Sequence, residues 1–193
     1  MTFTIYFLWD SGCDVKSIPK NYYQSCKSKY IKKWPFSNGD ITIKLKGNFA
    51  PYPTIGRPQW GCGVGVAKGA PWLQRHGSYL TWEFSKPVSG TLLFSVMVGG
   101  KGEYGVVTTD KGNPTIDVSS TGGCVTKVDS HQFGFRQGQL NGGIVTVHVP
   151  DGTTKVTVTQ QGNLEGYAIE LKECFKYFKS GTKCKSTTSK YKT

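Results

Sequence analysis

Hydrophobic and polar positions alternate in short runs through the middle of the chain, and long windows with a 3.6-residue apolar period are missing. Alternating or β-branched segments recur at 41–46, 79–84, 91–98, 104–109, 115–118, 124–128, 132–136, 144–149, 154–160 and 166–172. Turn chemistry separates most of them: Ser89-Gly90, Gly99-Gly100, Lys111-Gly112-Asn113-Pro114, Gly122-Gly123, Asn141-Gly142-Gly143, Pro150-Asp151-Gly152 and Gly162-Asn163. Many short strands at this spacing predict an all-β, antiparallel, jelly-roll-like sandwich. Within it, Pro150-Asp151-Gly152 reads as a hairpin turn between the strands 144–149 and 154–160.

The flanks differ from this body. Residues 1–40 read as a Cys-, Lys- and Tyr-rich lead-in arm with one strand at 3–9 and irregular structure after it. Residues 41–173 form the body, so that 1–173 make one domain, and 174–193 read as a basic Ser/Thr/Lys-rich tail with no apolar period. Met1–Trp9 lacks a basic start and a small-residue cleavage site, so it reads as a strand rather than an export signal. Either such a signal has been removed, or the protein reaches its place without one, as a virion protein released by lysis does. No apolar run approaches the roughly 20 residues that span a bilayer.

Composition sharpens the contrast. The 193 residues carry a formal charge of +12. Residues 1–46 hold eight Lys against three Asp, and residues 172–193 hold seven Lys against one Glu, while nine Lys or Arg meet eight acids in between. Basic ends on a nearly neutral body either meet an anionic surface or polymer, or serve as solvated, solubilising segments. Lys27, Lys29, Lys32 and Lys33 form a basic patch interleaved with Tyr30 and Trp34, the mixture a single-strand nucleic-acid groove uses. No RNP-type motif accompanies them, which argues against nucleic acid as the partner.

Six cysteines, Cys13, Cys26, Cys62, Cys124, Cys174 and Cys184, are compatible with three disulfides, or with six reduced thiols. The expected pairs are Cys13–Cys26, Cys62–Cys124 and Cys174–Cys184. No C-x-x-C occurs and the Cys/His spacings match no zinc site, so no metal is expected.

The segment 79–96, Tyr-Leu-Thr-Trp-Glu-Phe-Ser-Lys-Pro-Val-Ser-Gly-Thr-Leu-Leu-Phe-Ser-Val, resembles the aromatic-x-F-S-x-P-V-x-G strand–turn–strand of galactose-binding-like and carbohydrate-binding-module-like jelly rolls. Gly166-Tyr167-Ala168-Ile169-Glu170-Leu171 resembles the closing strand of such a module. The resemblance spans 79–172 and implies a jelly-roll sandwich with a surface or adhesive role. That family's calcium-binding loop has no counterpart here.

Catalytic chemistry finds little support. His76, His131 and His148 are the three histidines, and no G-x-S-x-G elbow exists. Glu83, Glu103, Asp110, Asp117, Glu165 and Glu170 read as strand and loop acids rather than as a glycosidase pair. Gly61-Cys62-Gly63-Val64-Gly65 and Gly99-Gly100-Lys101-Gly102 lack the Lys-Ser/Thr end of a phosphate loop. No catalytic residue and no cofactor are expected. Trp82 reads as core, whereas Trp60 and Trp72 fall in the connection 47–78 beside Gln74 and Arg75. Aromatic faces next to planar polar groups suit sugar rings, although the same aromatics could plug one end of the sandwich. The expectation is a non-enzymatic module that binds a glycan or another surface polymer at Trp60, Trp72, Gln74 and Arg75, extracellular or surface-displayed. The alternative is a virion component, of capsid, decoration or tail, that uses its basic ends for self-assembly or to hold neighbouring subunits.

Overall fold

The computed structural model describes residues 22–31, 33–37, 41–54, 65–99, 102–119, 124–136, 141–162 and 166–178. Among them lie twelve strands and no helix: β1 (Tyr22–Tyr30), β2 (Phe36–Ser37), β3 (Thr42–Gly47), β4 (Ala50–Pro51), β5 (Pro71–Leu73), β6 (Tyr79–Gly99), β7 (Tyr104–Thr109), β8 (Thr115–Ser119), β9 (Val125–Asp129), β10 (Gln132–Phe135), β11 (Asn141–Gln161) and β12 (Tyr167–Phe178). Every pairing is antiparallel, as the alternation predicts.

Two long strands create the layers. The first half of β6 and the second half of β11 join β3, β7, β10 and β9 in the order β3–β6–β11–β7–β10–β9. The second half of β6 and the first half of β11 join β4, β5, β12 and β8 in the order β4–β5–β12–β6–β11–β8. Here the structure departs from the expected hairpin. Pro150-Asp151-Gly152 does not reverse the chain, because Val149 pairs with Gly90 and Thr153 with Val88 on the same partner strand. The register shifts between them, and again between Thr153 and Lys155, and here Gly90 and Gly152 both take positive φ, at 80° and 82°. The Ser89 hydroxyl donates to Asp151 across this irregularity. The turn residues therefore make a corner at which both strands pass from one layer to the other.

The stacking of Trp82 on Phe94 confirms the fold-over. Both lie on β6, on either side of the corner, yet their rings are 4.6 Å apart and 20° from parallel. Phe133 on β10 meets Tyr167 on β12 at 5.5 Å, which closes the layers at the other end. Ile43, Leu80, Leu92, Val107, Val145, Val147, Val158 and Ile169 fill the space between, all fully buried. Burying each large apolar side chain stabilises the fold by about 1.5–3 kcal/mol.

The flanks are more regular than expected. Residues 22–30 of the lead-in form β1, which pairs with the C-terminal half of β12. β12 itself runs to Phe178, past the expected start of the tail at 174. The connection 47–78 carries two short strands, β4 and β5, in place of wholly irregular chain. The predicted strand at 3–9 lies outside the described residues.

Candidate binding face

Alternation in β6 sends Leu80, Trp82 and Phe84 into the core and leaves Tyr79, Thr81 and Glu83 on the opposite face. The same parity in β11 leaves Lys155, Thr157 and Thr159 outside, and in β7 Tyr104, Val106 and Thr108. Strand register lines these up in rows. Tyr79 lies opposite Thr159, which lies opposite Val106, which lies opposite Gln132. Lys46, Thr81, Thr157 and Thr108 form the next row, and Lys44, Glu83 and Lys155 the third. Neighbouring strands sit about 4.8 Å apart, so the face is a regular array of hydroxyls bounded by an aromatic ring and charges.

Polar contacts hold the array in place. Thr81 Oγ1 and Thr157 Oγ1 are 2.8 Å apart across the β6–β11 ladder. Glu83 is bridged by Lys46 at 2.9 Å and Lys155 at 3.5 Å. The hydrogen bond from Lys46, aided by the charges of both lysines, holds the Glu83 carboxyl below its ordinary range against a smaller desolvation effect. Asn48 fixes the end of the face: the Tyr79 N–H donates to its Oδ1 at 2.6 Å, and its own N–H donates to the Tyr79 carbonyl at 3.1 Å. Tyr79 is 43% exposed, one of two large hydrophobic residues exposed among the described residues, so its backbone is pinned while the residue stays open to solvent.

Three of the residues singled out from the connection 47–78, Trp72, Gln74 and Arg75, are described. Trp72, on β5, is half-buried and meets Tyr52 edge-on at 5.5 Å, packed with Val66, Ala70, Met97 and Ala168. It belongs to a cover laid on the outer side of the second layer, where Ser95 Oγ donates to the Gly65 carbonyl at 3.0 Å and Ala67 N–H to Glu170 Oε1 at 3.0 Å. Trp72 therefore does part of the plugging that the sequence left open. Gln74 and Arg75 are exposed, at a turn in which the Ser78 N–H donates to the Arg75 carbonyl at 2.9 Å and the Arg75 N–H to Ser78 Oγ at 3.2 Å. Trp60 lies outside the described residues, as does Lys32, while Lys27 and Lys29 fall on β1 and Lys33 is exposed. Sequence reasoning passed over Tyr79, Thr81, Thr157 and Thr159. The polar half of the alternation that marked Trp82 as core was the signal that points to them.

Other polar groupings are separate from this face. On the outer side of the second layer His148 Nε2 donates to Asp117 at 2.9 Å, and Thr91 Oγ1 lies 3.4 Å from His148 Nδ1. The His148 hydrogen bond, with Lys127 nearby, keeps the Asp117 carboxyl below its ordinary range. The side chains of both Asp117 and His148 are well exposed, so water competes for each contact. A crevice with about 10 Å³ of free space, room for one water, is lined by Ile31, Trp34, Lys68 and Glu170. Among the described residues no three His, Cys, Asp or Glu side chains are placed to hold a metal ion. No cysteine there is free, and Cys124 is disulfide-bonded. No described helix is long and apolar enough to cross a membrane, which leaves strand-built crossings untouched.

Fold and face together define an all-β, antiparallel sandwich with one open polar side. No family model matches the chain, and neither a curated protein nor a solved structure matches it.

Proposed function

We propose that this protein is a non-catalytic, surface or extracellular module that binds a glycan or another surface polymer across the outer face of β3, β6, β11 and β7. The observation that carries the reading is the exposed Tyr79, in register with Thr159 and one row from the Thr81–Thr157 hydroxyl pair. A sugar ring presents C–H faces to an aromatic plane and hydroxyls to hydroxyl or carboxylate partners, and this face offers both on rigid strands. Strand-borne side chains lose little freedom on binding, which favours affinity. The Thr91–His148–Asp117 contacts support hydrolysis less well, since an activated nucleophile needs a site that excludes water.

The test is a glycan array read at low and high salt, repeated with Tyr79→Ala and with Thr81→Val/Thr157→Val. Binding that survives salt and falls at least about tenfold in Tyr79→Ala supports the reading, because stacking and neutral hydrogen bonds are weakly screened. Binding that is indifferent to both variants sinks it. A structural role in an assembly is the second reading. It is favoured by β1, which pairs with β12 alone among the described residues, a position at which strand addition would extend the sheet. Oligomers that disappear when β1 is interrupted by Ser25→Pro would favour it.

A further inference from the structure

The outer face of the first layer does not end at β7. Its Tyr79 row runs through Thr159 on β11 and Val106 on β7 to Gln132 on β10, each residue directly opposite the next. Gln132 in turn lies opposite Asp129 on β9, the last strand of this layer. The following pair, Phe133 with Lys127, skips one residue of β9, and that residue is Val128. Such a skip is a β-bulge, a device that re-aims a side chain near the edge of a sheet. Phe133 and Phe135 are buried in the core, so a Cβ at Gly134 between them would point outward. It would come within 2.9 Å of Val128 Cγ2 and 3.7 Å of the Tyr104 Cβ. The bulge therefore sets Val128 on the outer face, seated over a glycine. Val128 is nevertheless 55% exposed, and it and Tyr79 are the exposed large hydrophobic residues among those described. Both stand on one face, near opposite ends of one row, with half-buried Val106 between them.

We propose that this row binds an oligosaccharide bearing acetamido groups, laid across the strands, with Gln132, Val106 and Val128 as its specificity residues. The inference rests on the glycan reading above and names the class of sugar. Three strand spacings separate Tyr79 from Gln132, on the order of 14 Å, which is longer than one sugar ring. Along that length apolar and polar residues take turns: Tyr79, Thr159, Val106, Gln132, and then Val128 beside the β9 end. An acetamido group presents a methyl and a planar amide side by side. Gln132 supplies an amide that both donates and accepts, and the valines on either side of it supply the apolar contact. Charge is absent from the row up to its β9 edge. Lys46 stands one row away, Lys44, Glu83 and Lys155 stand two rows away, and Asp129 marks the edge itself. Lys127, the cation of β9, lies 3.8 Å from Asp117. An uncharged row suits a neutral sugar and gives an anionic polymer no cation beside Gln132.

The test titrates the full chain with two uncharged probes of equal length. Chitohexaose carries an acetamido group on every sugar, and cellohexaose has a hydroxyl at each of those positions. Wild type is expected to bind chitohexaose at least about tenfold more tightly, the discrimination that one added apolar contact or one matched polar group gives. Chitobiose, too short to cover the row, is expected to bind more weakly than the hexamer. Gln132→Ala/Val128→Ser should bring the two hexamers within about twofold of each other while leaving cellohexaose binding as it was, which also shows that the variant is folded. Equal binding of both hexamers by wild type overturns the proposal, as does a preference that survives in Gln132→Ala/Val128→Ser. Binding of neither hexamer overturns it as well. Tyr79→Ala separates the two readings. If that variant weakens both hexamers and no preference for chitohexaose exists, the acetamido inference fails and the open face stands. If both hexamers bind and neither responds to Tyr79→Ala or to Gln132→Ala/Val128→Ser, the face and the inference fail together.

Discussion

Cys26 lies directly opposite Cys174 in the antiparallel ladder of β1 and β12. Opposed residues of an antiparallel pair have Cα atoms about 4.5–5.5 Å apart, inside the range that a disulfide spans. Sequence proximity pointed instead to Cys13–Cys26 and Cys174–Cys184, pairs that would each use one cysteine of this ladder. Digestion without reductant is expected to yield a peptide linking Cys26 to Cys174. Replacing both by serine should cost about 2–4 kcal/mol in chemical denaturation, because the bond closes a long loop in the unfolded chain. A peptide map showing Cys26 joined to Cys13 would rule the pairing out.

Gln160 sits on the core side of β11 with no exposure, and neither its amide nitrogen nor its amide oxygen has a hydrogen-bond partner. Its register partner is Gly105, against which the equally unpartnered Tyr167 hydroxyl packs. Burial pushes the Tyr167 phenol well up, and the nearby Glu103 charge adds to it, so the hydroxyl stays protonated over the whole working pH range. Unpaired buried polar atoms cost about 1–3 kcal/mol each, which makes this end of the sandwich a local weakness. Gln160→Met, which keeps the volume and removes both orphan atoms, is expected to raise stability by about 1 kcal/mol. A loss of that size in urea denaturation would show that water or a ligand satisfies the amide.

Much of the architecture was legible because alternation survives translation into burial with little loss. The segment 104–109 is β7 residue for residue, and 41–46, 115–118, 124–128 and 132–136 each fall within a residue or so of a strand. The two corners were not legible. Ser89-Gly90 and Pro150-Asp151-Gly152 have turn composition, and nothing local distinguishes a reversal from a bend when the deciding contact is the pairing of one corner with the other. β1 was hidden for a similar reason: Tyr22–Tyr30 is a strand because β12 offers it an edge, and its own alternation is weak. The candidate face was half legible. Reading Trp82 as core fixes Tyr79, Thr81 and Glu83 as outward, yet only the register with β11 and β7 shows that they lie in rows with other threonines.

Asp110 ties the end of β7 to β11 and gives the fold an acid-sensitive point. Its carboxylate accepts hydrogen bonds from the backbone N–H groups of Thr154 at 2.9 Å and Lys155 at 3.0 Å, and from the Thr154 hydroxyl. Partial burial works to raise its pKa, but these donors outweigh burial and hold it below the ordinary aspartate value. A carboxyl whose folded pKa is depressed stabilises the fold above its unfolded pKa, and that contribution fades as pH falls through the folded value. Asp110→Asn is expected to lower stability by up to about 1 kcal/mol at pH 7, a modest figure because the group is largely exposed. The gap between variant and wild type should close below about pH 4. A gap that stays constant down to pH 2 would mean that the carboxylate charge is not what the donors hold.

Gly105 decides how closely the two layers meet at the end opposite the corners. A Cβ at this position would overlap the Tyr167 hydroxyl and the Phe133 ring, both fully buried and in edge-on contact with each other. Neither ring can retreat easily, since Phe135 also packs on Tyr167 at 5.3 Å and Phe133 lies 6.1 Å from Phe135. Gly105→Ala should therefore destabilise by about 1–3 kcal/mol, the usual cost of overpacking a closed core. Removing the obstructing oxygen in the double variant Gly105→Ala/Tyr167→Phe should recover part of that loss, since it relieves one of the two contacts and deletes an unpaired hydroxyl. Thermal unfolding of the four proteins in this cycle gives the coupling directly. Strict additivity would mean that Tyr167 and residue 105 do not touch, and that the layers close at this end through some other contact.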